Sequence, residues 1–183
     1  MNETLTSGVL PMRELLLLRH AKSRWDAPAT GDHDRDLASR GLDAAARMGV
    51  EIARRGWVPR LVLCSTARRA RHTLELARAA WPQTPEIEHE RALYLASPER
   101  MLQILATRPA APERSMLVGH NPGMHQLARR LAVRGDAAIL AELHEKFPTG
   151  ALARLAFDVP DWSCLENGIL LDFVRPRSLR HTD

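Results

Sequence analysis

Short, wholly apolar runs alternate along this chain with longer stretches in which apolar residues return every three or four positions. Leu15-Leu16-Leu17-Leu18 is the first run, and it predicts a strand over Glu14–Arg19 that is buried on both faces. The run is short for a core helix, although period alone does not exclude one. Leu42, Ala45, Ala46, Gly49, Ile52 and Ala53 recur at helical spacing. They predict a helix from Ser39, as its cap, to about Arg55, ended by Gly56 and Pro59. Leu61–Cys64 reads as a second buried strand, after which Ser65 or Thr66 caps a helix over Ala67–Trp81 that Pro82 stops. A weak strand signal at Glu86–Glu88 precedes a helix over Pro98–Thr107 with proline in its first position. Ser115–Gly119 is a further strand. Asn121-Pro122 then starts a helix running to about Val133, with Leu127 and Leu131 turned inward and Arg130 inside or on the flank. Asp136–Glu145 predicts one more helix, and Ala151–Phe157 and Ile169–Val174 predict late strands.

Strands alternating with helices predict an α/β fold, a three-layer sandwich whose mostly parallel central sheet carries helices on both faces. The last two strands have no helix of length between them, which allows one antiparallel strand. Residues 1–13 read as a flexible leader, 14–175 as a single domain and 176–183 as a loose basic tail.

Length sharpens this only a little: 183 residues suit one domain with a core that needs no metal or disulfide staple. Cys64 and Cys164 stand in no metal-type spacing. No apolar run approaches membrane length and no secretory leader pattern opens the chain, so a cytoplasmic setting is expected. The formal charge of +4 raises nucleic acid as a partner class, but 4% aromatic content with one tyrosine leaves little for bases to stack on. The arginine excess suits a phosphate pocket, and alanine-rich helices account for part of it.

Three predicted strands end on residues that suit an anion: Arg19-His20, Cys64-Ser65 just before Arg68, Arg69 and Arg71, and Gly119-His120 just before a helix. In a parallel sheet these ends share the edge where ligands gather, and two helix N-termini add their N–H groups. A helix turn cannot aim all three arginines inward, so two of them face solvent. The result is a cradle for a compact dianion, above all phosphate. The run Asp32-His33-Asp34-Arg35-Asp36 reads as a solvated polar loop rather than a metal site. There is no P-loop, and no paired carboxylates flank the histidines as two-metal chemistry requires. A neutral imidazole attacks phosphorus unaided and arginines stabilise the equatorial oxygens, so metal-free phosphoryl transfer through a phosphohistidine is expected.

These residues resemble a known pattern. Arg19-His20-Ala21 resembles the Arg-His-Gly signature of the histidine phosphatase (phosphoglycerate mutase-like) superfamily, with alanine in place of the glycine. Leu37-Ala38-Ser39-Arg40-Gly41 is similar to its Leu-Thr-x-x-Gly segment, and Ser65, Arg69 and Thr73 fall on its Ser-x-x-x-Arg-x-x-x-Thr segment. Gly119-His120-Asn121-Pro122 resembles the second-histidine segment, and Phe147-Pro148-Thr149-Gly150 the segment before the closing strand. Over about residues 14–175 the chain is most similar to the SixA-type phosphohistidine phosphatase branch. The resemblance implies that His20 takes the phosphoryl group and that Arg19, Arg69 and His120 bind its oxygens. Ser23, Asn121 and Thr149 would add contacts to the substrate, with no metal and no cofactor. Many members carry a glutamate after the third strand as general acid, whereas Arg91–Ser97 here holds no carboxylate, leaving Glu90, Glu99 or no acid at all. Lys22 and Asp26 are further candidates for ligand contact. The expected activity is removal of phosphate from phosphohistidine in proteins. A phosphatase of small phosphorylated metabolites and a non-catalytic phosphate-binding module are the alternatives. The paired histidines argue against the module, which needs charge but no nucleophile. Partners are accordingly a phosphorylated protein or small phosphorylated substrate, with no nucleic acid and no membrane.

Overall fold

The computed structural model describes residues 12–24, 31–108 and 112–179. Most of the leader (residues 1–11), residues 25–30 with Asp26, and the end of the tail (residues 180–183) lie outside the described residues. In chain order the elements are β1 (Arg13–Arg19), α1 (Ser39–Arg54), β2 (Leu61–Ser65), α2 (Arg68–Arg78), β3 (Glu86–Glu90) and α3 (Pro98–Ala106). Then come β4 (Arg114–Gly119), α4 (Gly123–Leu131), β5 (Ala132–Gly135), α5 (Ala137–Glu145), β6 (Leu152–Phe157) and β7 (Gly168–Val174).

The strands form one sheet in the order β3-β2-β4-β1-β6-β7-β5. β1 pairs in parallel with β4 and antiparallel with β6, and β6 is antiparallel to β7 as well. β6 is therefore the one strand that runs against the others. The leucine run explains why β1 lies in the middle. Leu15 and Leu17 pack on one face with Met101, Leu127 and Leu143 of α3, α4 and α5, while Leu16 and Leu18 pack on the other with Met48, Ile52 and Leu74 of α1 and α2. All four are fully buried, each contributing about 1.5–3 kcal/mol of apolar transfer. A strand apolar on both sides requires helices on both sides, and the three-layer sandwich follows.

Local departures from the sequence expectation have local causes. The helix expected to reach Val133 stops at Leu131, and Ala132–Gly135 pairs with β7 as an edge strand. Val133, Arg134 and Gly135 are exposed there, so no alternating pattern betrays the strand. The expected caps are not caps. Ala38 and Ala67 hold the N-cap positions of α1 and α2 with no side-chain hydrogen bond. The Ser65 and Thr66 hydroxyls bond instead to His120 and His33. The buried stripe of α1 is rotated, with Gly41, Ala44 and Met48 inside and Leu42 and Ala46 out. Arg130 is exposed and paired with Glu99. Pro176–Ser178 forms a short 3-10 turn that accepts from Arg47, so this part of the tail is fastened rather than loose.

Candidate functional site

β1, β4 and β2 lie side by side in parallel, with Arg19 opposite Gly119 and Cys64 opposite Val118. Their carboxyl ends therefore share one edge, and all seven residues singled out in the sequence line a single hollow of about 330 Å³ there: Arg19, His20, Ser23, Arg69, His120, Asn121 and Thr149.

The two histidine rings are neighbours, with centroids 5.1 Å apart and planes tilted by 51°. The His20 backbone N–H donates to the Gly119 carbonyl at 3.1 Å, which ties the two strand ends together. His20 Nδ1 lies 2.8 Å from the Ala21 carbonyl. A carbonyl only accepts, so Nδ1 holds the proton and Nε2 keeps its lone pair. The Arg69 Nε–H points at that lone pair from 3.4 Å. His120 Nε2 is 2.8 Å from Ser65 Oγ. In the tautomer with the His120 proton on Nδ1, the Ser65 hydroxyl accepts from the Ala67 N–H and donates to Nε2. Both rings are buried and stand beside guanidinium groups. Burial first, with the charges of Arg69 and Arg19 added, holds His20 down to about 4. Burial, then His20 and Arg69, holds His120 down to about 3. Both imidazoles are neutral at pH 7.

The Ser-x-x-x-Arg-x-x-x-Thr segment has a physical reading throughout. Ser65 orients His120, and Arg69 faces His20. Thr73 Oγ1 accepts from the Ala21 N–H at 2.9 Å and donates to the Arg69 carbonyl at 2.6 Å. Of the arginines at the start of α2, Arg69 is 2% exposed, while Arg68 and Arg71 face solvent. Ala21, where the signature has glycine, fits: its methyl is fully buried against Leu37 and Ala45. Gly41 is required because a side chain there would run into the Lys22 carbonyl, on which α1 begins. Gly150 takes a positive φ of 76° and donates to the Arg19 and His20 carbonyls, closing the ring of backbone around the histidine.

Two residues beyond the sequence reading belong to the site. Asp32 does not sit in a solvated loop apart from it. Its carboxylate accepts from Arg69 Nη2 at 3.0 Å and from the Tyr94 hydroxyl, and its carbonyl accepts from Arg69 Nη1. The Tyr94 hydroxyl bond, followed by Arg69, holds the Asp32 carboxyl below its usual range. Tyr94 also lies under the Arg69 guanidinium and edge-on to His120, at 5.8 and 5.4 Å. Asp36 likewise pairs with Arg68 and His72. The only cue was the density of charge in Asp32–Asp36, which carries no period.

The two candidate acids lie elsewhere. Glu90 caps the short turn Arg91–Leu93 through the Ala92 N–H, and Glu99 pairs with Arg130 on the surface. Neither lines the hollow, whose only carboxylate among the described residues is Asp32. Arg19 Nη1 and Asn121 Nδ2 both donate to the Phe147 carbonyl, at 2.7 and 3.0 Å. Arg19 Nε and His120 Nδ1 are buried with no protein partner, as is the acceptor Asn121 Oδ1, so the site keeps polar atoms that the protein itself leaves unsatisfied. Lys22 also lines the hollow. Among the described residues no helix is long and apolar enough to cross a membrane.

Comparison with known proteins matches this geometry. Residues 15–94 match the model of the histidine phosphatase superfamily, branch 1. A protein of Mycobacterium tuberculosis described as uncharacterized is 35% identical over 170 residues, covering 87% of this chain and all of its own length. An uncharacterized chloroplast protein of Arabidopsis thaliana is 33% identical over 129 residues, and the chain spans 59% of that relative's length. A solved structure from Agrobacterium tumefaciens, assigned as a phosphohistidine phosphatase SixA, is 34% identical, with a TM-score of 0.75 over 91% of this chain and all of the other. A SixA protein histidine phosphatase solved with tungstate shares the fold at 20% identity, with a TM-score of 0.74 over 91% of this chain and 99% of its own. The chain is therefore a phosphatase and belongs to the histidine phosphatase superfamily, in its SixA-type branch.

Proposed function

We propose that this phosphatase works without metal, through a phosphoryl group carried on His20, and that its preferred substrate is phosphohistidine in a protein. The observation that carries this reading is an unprotonated His20 Nε2 facing Arg69 in a hollow whose one carboxylate among the described residues, Asp32, is held ionised. In the first step the Nε2 lone pair forms a bond to phosphorus while the bond from phosphorus to the leaving group breaks. Arg19, Arg69 and the His120 Nδ1–H stabilise the three equatorial oxygens. In the second step water attacks the phosphorus, the bond to Nε2 breaks, and phosphate leaves. Ser23, Asn121 and Thr149 line the wall and position the substrate.

The leaving group decides the substrate. An alkoxide has a conjugate acid close to water in pKa, about 15.7, and needs a proton as it departs. Asp32 is ionised by its Tyr94 and Arg69 bonds and has none to give. Imidazole has a reference pKa of about 6.5 and departs already protonated by solvent. A site with no placed acid thus favours the P–N bond of phosphohistidine over an alkyl ester, which also disfavours sugar phosphates and similar metabolites. The test compares kcat/KM for a phosphohistidine peptide, p-nitrophenyl phosphate and a sugar phosphate. The expected order is the order given, with the alkyl ester slowest by orders of magnitude. A preference for the sugar phosphate would overturn the reading.

A further inference from the structure

A second hollow of about 550 Å³ adjoins the first and shares Arg19, Lys22 and Thr149 with it. Its walls come from separate parts of the chain. Arg40 stands in the first turn of α1, Lys146 follows α5, and Arg177 belongs to the short turn after β7. Two more lining arginines are already neutralised, Arg47 by Asp43 at 2.8 Å and Arg175 by Glu142 at 2.6 Å. Lys22, Arg40, Lys146 and Arg177 have no carboxylate partner among the described residues, and Glu145 is the one carboxylate in the lining. The whole chain carries a net charge of only +4, so positive charge is concentrated beside the catalytic hollow.

We infer that this groove holds an acidic stretch of the same polypeptide that presents the phosphohistidine. The inference rests on the protein-substrate reading above and adds what the substrate must carry. Free cations inside a concave wall are self-repelling, and a concave cationic wall focuses its field on an incoming anion. The four come from four separate segments of the chain and line one open groove. A single second phosphate could satisfy only part of that set, whereas an extended chain, rising about 3.3 Å per residue, places successive carboxylates along it. The shared wall of Arg19, Lys22 and Thr149 makes the groove continuous with the place where phosphorus is attacked. Glu145 sets the sign at one point of the wall and favours a neutral or basic residue of the substrate there.

The test uses two phosphohistidine peptides that differ only in their flanks, one rich in glutamate and one with glutamine at the same positions. The full-length protein is compared with an Arg40→Glu/Arg177→Glu variant, both positions being exposed and outside the catalytic hollow. The wild type is expected to favour the acidic peptide at least about tenfold in kcat/KM at low salt. The preference resides mainly in KM and shrinks as ionic strength rises. The variant should lose that preference while turning over free phosphoramidate at the wild-type rate. Equal cleavage of both peptides by the wild type overturns the groove and leaves the protein-substrate reading standing. Retention of the preference by the variant overturns the groove as well. Cleavage of phosphoramidate but of neither peptide overturns both.

Discussion

Arg69 is the residue on which the proposed chemistry can be tested most sharply. It is 2% exposed, its Nε–H lies 3.4 Å from His20 Nε2, and its other two nitrogens are fixed by Asp32. Its charge is thus held beside the proposed attacking atom before substrate arrives, at a site shielded from water. Removing one preorganised donor of this kind costs about 10²–10³ in kcat, or about 2.7–4 kcal/mol of transition-state stabilisation. Arg69→Ala is expected to fall in that range. Arg69→Lys recovers little of the loss, because an ammonium lacks the fork that serves His20 and Asp32 together. The fold should survive, because the Asp32 side chain is 47% exposed and hydrates when its partner is gone. A loss of about 1 kcal/mol corresponds to a melting shift of about 2–4 °C for a chain of this size. Arg71, exposed two positions along the same helix, is the control. The assay is steady-state turnover of p-nitrophenyl phosphate and of a phosphohistidine peptide, together with rapid-quench capture of labelled enzyme. If Arg69→Ala keeps kcat within about threefold, or if Arg71→Ala costs as much, the reasoning fails.

The remaining expectations concern the nucleophile, the acid, the metal and pH. His20→Ala should abolish turnover and the alkali-stable label while leaving the circular dichroism spectrum unchanged; a label remaining on the variant would move the nucleophile elsewhere. Glu90→Gln and Glu99→Gln should each leave kcat for alkyl and aryl esters within about twofold, since neither side chain reaches the hollow; a loss beyond tenfold would restore a general acid. Chelators should not inhibit, because a hollow lined with guanidinium groups repels a metal cation, whereas vanadate should compete; restoration by a divalent ion after chelation would contradict the scheme. His20 and His120 are held at about 4 and about 3, below the unfolded value of about 6.5, so protonation favours the unfolded chain. Their contribution to stability is complete above pH 6.5 and declines as pH falls towards 4, by about 1.4 kcal/mol per pH unit for each ring. Urea midpoints at pH 7 and pH 4.5 should therefore differ less in a His20→Asn/His120→Asn variant than in the wild type.

The apolar patterning and the short motifs determined a great deal. Leu15–Leu18 has no polar side to offer water, so the run demanded a central strand with a layer on each face, and the periodic stretches between the strands supplied those layers. The chemistry-bearing residues end strands or directly follow them, so Arg19-His20, Ser65 and His120 met once the strands ran in parallel. Tertiary structure decided what has no period. β5 is an exposed edge that pairs only with β7. The hydroxyls of Ser65 and Thr66 look locally like helix caps, yet they are drawn to histidines 55 and 33 positions away. Asp32 and Tyr94 lie 62 positions apart and meet on one guanidinium, which turned a charged loop into a wall of the site. The cationic groove gathers Lys22, Arg40, Lys146 and Arg177 from four separate segments. Local pattern reports which face of an element is dry; it carries no information about which distant charge will stand opposite, and that is set only when the layers close.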